Sequence, residues 1–79
     1  MSRYQWRKWP MTSIVQRYRL HDLEGRRLVA ELRHVPGMSW KVFRVQPAEV
    51  SGFVFTHEYS ARTLERAQAL AMLMVRLEE

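Results

Sequence analysis

The hydrophobic period changes once along this chain, and that single change confines what it can fold into. From Ser13 to Tyr59, short runs alternate apolar with polar residues and are broken by turn signals. From Leu64 to Glu79 there is no Gly or Pro, and apolar residues recur at helical spacing. Strands in series followed by one helix make an α+β, two-layer domain.

Ser13 to Leu20 reads as a strand, with Ile14, Tyr18 and Leu20 on one face and Val15, Arg17 and Arg19 on the other. His21 to Gly25 reads as a hairpin turn, with Asp22 near its start and Gly25 supplying a positive φ. Arg27 to His34 is the return strand. Setting Leu20 against Leu28 places Tyr18 opposite Ala30, and Arg17 opposite Glu31 as a favourable charge pair. Pro36-Gly37 marks the next turn. The third strand, Trp40 to Val45, is apolar on both faces, so its orientation stays open. The fourth runs from Gly52 to Tyr59, with Phe53, Phe55 and Tyr59 on one face.

Ser60 or Thr63 is the expected helix cap. Ala67, Leu70, Leu73, Met74 and Leu77 form the expected core stripe. Ala69, Met72 and Val75 form a second stripe, a possible protein interface that includes a homodimer contact. Glu78 and Glu79 stand at the unfavourable end of the helix dipole, so that end is expected to fray. The expected architecture is an antiparallel four-stranded β-meander with one C-terminal α-helix packed on one face. Residues 12–79 form a single ββββα domain, and residues 1–11 a basic, aromatic N-terminal arm.

A chain of 79 residues buries a modest core. It has no cysteine, so neither disulfides nor thiolate metal sites reinforce it. The longest apolar run, Ala69 to Val75, is far short of the roughly 20 residues a spanning helix needs. With no apolar stretch behind the basic N-terminus, the expected location is cytoplasmic. Nothing in the chain resembles a nucleophile with its base, a phosphate loop or a paired-carboxylate site, and the only Asp lies in a turn. The protein is therefore expected not to be an enzyme and to need no cofactor. His21, His34 and His57 lack metal-ligand spacing and read as surface or strand-end residues.

Charge is the feature that leans towards a partner. Lys and Arg number 13 against 8 Asp and Glu, a net charge of +5. Arginine dominates, and its planar fork grips phosphate bidentately. In the arm, Tyr4, Trp6 and Trp9 interleave with Arg3, Arg7 and Lys8. That pattern suits stacking on bases with neutralisation of phosphates. Packing onto the domain as an extra edge strand is the first alternative, and a membrane interface comes after both. The sheet face away from the helix would carry Arg17, Arg19 and Arg33. The candidate binding residues are thus Arg3, Trp6, Arg7, Lys8, Trp9, Arg17, Arg19 and Arg33.

The segment from Gly52 through Thr63, Ala67 and Ala71, with Trp40 upstream, resembles the sheet-plus-helix layout of integrase arm-type DNA-binding domains. In that family a three-stranded sheet enters the major groove and a helix braces it. The resemblance covers the last half of the chain, and the family's glycine-lysine turn before its third strand is missing. The expected function is a small, non-catalytic recognition module for nucleic acid or a nucleoprotein complex. The alternative is an inhibitor or adaptor of phage or mobile-element type that blocks a host enzyme or defence complex.

Overall fold

The computed structural model describes residues 2–10 and 14–78. Its elements are β1 (Tyr4–Trp9), β2 (Gln16–Asp22), β3 (Arg27–His34), β4 (Trp40–Pro47), β5 (Phe53–Ala61) and α1 (Leu64–Leu77). The strands form one antiparallel sheet in the order β1-β2-β3-β4-β5. The class is α+β, as the change of period implied, but the sheet has five strands, not four. The segment expected to be an arm is an edge strand. Its Tyr4-Gln5-Trp6-Arg7-Lys8-Trp9 run alternates like any half-buried strand, and Trp6 packs on the core opposite Leu20. The expected boundary between residues 11 and 12 lies outside the described residues, as do Ser13, where the next strand was expected to begin, and Glu79.

The register of the first long hairpin corrects the expected one by two residues. Leu20 faces Ala30, Tyr18 faces Leu32, and Arg19, not Arg17, faces Glu31. One residue comes from the turn, where Asp22 faces Arg27 and not Arg26, and one from a bulge beyond Leu20: His21 pairs with Leu28, so Val29 is an extra residue. A second bulge inserts Glu58 between Tyr59, opposite Val42, and His57, opposite Phe43. Tyr59 therefore turns to the face opposite Phe53 and Phe55, against the simple alternation.

Gly25 is not in the left-handed region; Arg26 is, at φ 52°. What requires glycine at 25 is space, because a Cβ there would lie 2.8 Å from Asp22 Oδ2. Asp22 is buried, at 1% exposure. It accepts the N–H groups of Glu24 and Gly25 at 3.1 Å each, and Arg3 Nε and Nη2 at 3.0 Å each. Leu23 donates its N–H to the Arg3 carbonyl at 2.8 Å. One carboxylate thus ties β1 to the β2–β3 turn. The Arg3 side chain, ahead of the Gly25 N–H, holds the Asp22 pKa at about 2 against its ordinary 3.8. A depressed carboxylate pKa contributes stability that is whole above 3.8 and lost as pH falls through about 2. In acid titrations followed by circular dichroism, Asp22→Asn should be less stable than the native chain at neutral pH. Its stability should also vary less with pH across that window. Parallel curves for the two proteins would refute the role given to Asp22.

One side of the sheet carries α1. Leu20, Ala30, Leu32, Trp40 and Val42 meet Ala67, Ala71, Met74 and Val75 there, joined by Tyr4, Trp6 and Tyr18. Leu20, Leu32 and Val42 are fully enclosed, and each contributes roughly 1.5–3 kcal/mol by burial. Ala67 and Ala71 let the helix lie close to the sheet. This resolves the orientation of β4: Trp40 and Val42 face the helix, Lys41 and Phe43 face away.

Thr63 is the helix cap, its Oγ1 accepting the Arg66 N–H at 3.2 Å. The helix is turned relative to expectation. Val75 lies in the core at 6% exposure, while Leu73 and Leu77 are 56% and 74% exposed. Met72 also packs against the core. Of the stripe expected to face outward, Ala69 alone is exposed, so that stripe makes no continuous outer surface. Glu78 ends α1 and its carboxylate pairs with Arg44, which also holds Glu58 at 3.0 Å. The arginine offsets the unfavourable dipole that suggested fraying. Among the described residues, no helix is long and apolar enough to cross a membrane.

Candidate nucleic-acid interface

Residues directly opposite one another on neighbouring strands share a face, so the register lays out the helix-free side of the sheet row by row. One row, from β1 to β5, is Arg7, Arg19, Glu31, Phe43 and His57. The next is Trp9, Arg17, Arg33, Lys41 and Ser60. Adjacent strands stand about 4.8 Å apart, so Arg17, Arg33 and Lys41 fall within roughly 10 Å. Like charges placed directly opposite each other destabilise a sheet. This face tolerates Arg7 against Arg19, and then Arg17 against Arg33 against Lys41.

Glu31 is the only acid in these two rows, and it is fully buried. Its Oε1 accepts Arg19 Nε at 2.7 Å, and its Oε2 accepts Arg33 Nε. Both guanidinium groups are further held by aromatic faces. Arg19 lies 4.1 Å from the Trp9 ring centroid, and Arg33 lies 4.4 and 4.9 Å from those of Phe43 and Phe55. The result is a continuous aromatic–guanidinium–carboxylate–guanidinium–aromatic array across all five strands. Trp9 is the exposed member of this array and suits the stacking of a base, while the two arginines and two phenylalanines are half-buried. Leu28 and Val45 lie buried on this side as well, at 6% and 5% exposure.

Arg7, Arg17 and Lys41 have no acidic partner among the described residues. Arg17 and Lys41 line a shallow cavity of about 240 Å³ with Arg33, Val15, Val35, Met38, Ser39 and Phe43. Its lining combines apolar and cationic side chains. Burial lowers the pKa of His21 on the same face, and the nearby charges of Arg7 and Arg19 lower it further. The field over this side of the sheet is therefore positive.

The expected site residues divide between the two sides. Arg7, Trp9, Arg17, Arg19 and Arg33 meet on the open face. Arg3 is committed to Asp22, with Glu24 also at 3.3 Å. Trp6 packs on the core, and Lys8 lies over the Tyr18 ring at 6.0 Å on the helix side. Lys41, Phe43 and Phe55 join the open-face group, and Glu31 organises it. Lys41 was missed because β4 is apolar on both faces, so nothing marked which way its lysine points.

His34 stacks on Trp40 at 4.5 Å, and His57 Nε2 lies 2.9 Å from the Tyr59 carbonyl. No three His, Asp or Glu side chains gather as a metal site among the described residues. The fold and face together define a two-layer α+β domain with a cationic, aromatic open sheet. No family model, curated protein or solved structure matches the chain.

Proposed function

We propose that the protein is a small, non-catalytic nucleic-acid-binding module whose open sheet face seats the phosphate backbone. One observation carries this reading: Arg7, Arg17 and Lys41, without an acidic partner among the described residues, share one face with Arg19 and Arg33, which between them have the single carboxylate of Glu31. Such rows cost stability unless a polyanion lies on them. Trp9 and the guanidinium planes of Arg19 and Arg33 supply stacking for bases. An acidic protein surface would satisfy the same charges, and no separate observation favours it. The stripe Ala69, Met72 and Val75, on which an inhibitor or adaptor would have docked, is largely built into the fold.

The test is fluorescence anisotropy of labelled single- and double-stranded DNA and RNA at about 50 and 200 mM salt. Micromolar or tighter binding at the lower salt, weakening steeply at the higher, is the expected result. A single-strand preference would assign the stacking surface a direct role. Failure to bind any of the four at low salt would overturn the proposal.

A further inference from the structure

The two edges of the sheet are built in opposite ways. β1 is short, carries Arg7 and Lys8, and runs into Pro10. Short length, cations and proline are devices that keep a sheet edge from pairing with another chain. β5 has none of these three, and the one protective device it carries is the bulge at Glu58. It is the longest strand, with nine residues, Phe53–Ala61, and contains no Lys, Arg or Pro. Its single charge, Glu58, is already bound by Arg44. On either side of the Glu58 bulge, every second residue of β5 turns its backbone groups away from β4, with no strand among the described residues to receive them.

Apolar side chains gather beside that edge. Phe53, Val54 and Tyr59 are 49%, 50% and 40% exposed, although they belong to a strand. On α1, Val75 leans towards Val29 and Tyr4, the β1 side of the sheet. By the 100° step of a helix, Leu70, Leu73 and Leu77 then fall on the flank towards β5, Leu70 half-buried against the core and Leu73 and Leu77 exposed. These leucines recur at the spacing of a coiled-coil seam.

We infer that β5 pairs antiparallel with β5 of a second copy of this chain. The twofold axis would stand perpendicular to the sheet. One ten-stranded sheet results, with both helices on one side and both cationic faces on the other. Strand meets strand, and the Leu70–Leu73–Leu77 flank of one helix faces that of its partner. Val54 and Tyr59 fill the floor between them. A copy of the same chain suits this edge because both of its layers continue across the axis. A lone extended peptide would leave the leucine flank uncovered. The net charge does not oppose the pairing. The two β4 strands, which carry the nearest Lys41 side chains, lie about 14 Å apart, beyond the roughly 8 Å Debye length at physiological salt.

The experiment is sedimentation velocity of the full chain over a hundredfold concentration range, with amide hydrogen exchange at both ends of it. The expected species is twice the 9.5 kDa chain mass. Amides of 53–61 that point away from β4 should slow as concentration rises. Val54→Lys combined with Leu77→Lys should raise the dissociation constant at least tenfold. Ile14→Lys, on a residue that is 65% exposed and remote from β5, should leave it unchanged. A monomer throughout the range would overturn the inference, and so would a dimer indifferent to the double substitution. If the double variant does not fold, exchange in the native chain decides: β5 amides insensitive to concentration would sink the pairing. None of these readouts involves nucleic acid, so the outcome is independent of the proposed function.

Discussion

Glu31→Gln is expected to weaken the fold and strengthen nucleic-acid binding at the same time. The carboxylate is fully enclosed and bonds two arginines that are 21% and 33% exposed. Removing one partner of a fully buried ion pair costs about 3–5 kcal/mol. Here both guanidinium groups reach water and lean on aromatic rings, so the expected loss is about 2–3 kcal/mol, read as a fall in the denaturation midpoint. Binding moves the other way. The open face gains one net positive charge, and Arg19 and Arg33 are released to phosphate. The slope of log affinity against log salt should steepen by about 0.9, the value of one added phosphate contact. A loss of stability with no change in slope would make Glu31 purely structural and would count against a phosphate at Arg19 or Arg33.

The triple variant Arg7→Ala, Arg17→Ala, Lys41→Ala should show the opposite pairing of effects. These three cations lack an acidic partner among the described residues, so neutralising them breaks no ion pair there. Relief of the cross-strand repulsion with Arg19 and Arg33 should leave the fold as stable as before or slightly more so, by a few tenths of a kcal/mol per relieved pair. Binding should suffer heavily. Three lost phosphate contacts flatten the salt slope by roughly 2–3, and at about 50 mM salt affinity should drop a hundred- to a thousandfold. Lys8→Ala is the matched control, since its ammonium lies on the helix side of the same edge strand. Equal losses from Lys8 and from the open-face cations would show that net charge, and not this face, determines binding. Anisotropy titrations beside thermal melts of each variant decide the matter.

Much of the architecture was legible because local signals agreed. The period of two in β2, β3 and β5, the turn chemistry at 22–25 and 36–37, and the unbroken helical run after Thr63 all pointed one way. What escaped has identifiable causes. Two bulges, at Val29 and Glu58, shift the register by a residue that no local pattern announces. The first, together with a turn one residue longer than expected, moved the Glu31 pairing from Arg17 to Arg19; the second moved Tyr59 to the other face. The N-terminal strand looked like an arm because it has no aliphatic residue, although Tyr4 and Trp6 supply its buried side. The rotation of α1 turned on two neighbouring stripes of nearly equal apolarity. The wide, shallow core has room for alanine and Val75 but leaves Leu73 and Leu77 outside. Of the site, the arginines on β2 and β3 could be read from alternation. Lys41 and the two phenylalanines required the orientation of β4 and β5, which only the packed helix determines.

The strand order β1-β2-β3-β4-β5 also bears on how quickly the domain assembles. Every strand pairs with its neighbour in sequence, and α1 folds back onto β3, β4 and β5. Few loops must close over long stretches of chain before a contact rewards them, so the contact order is low for a sheet protein. Folding should therefore be fast for its class, and the hairpins can form one by one as the chain lengthens, with the helix arriving last to seal them. Until that last segment arrives, the apolar side of the sheet is bare. The vulnerable interval in the life of this fold is the one before Leu64–Leu77 is made.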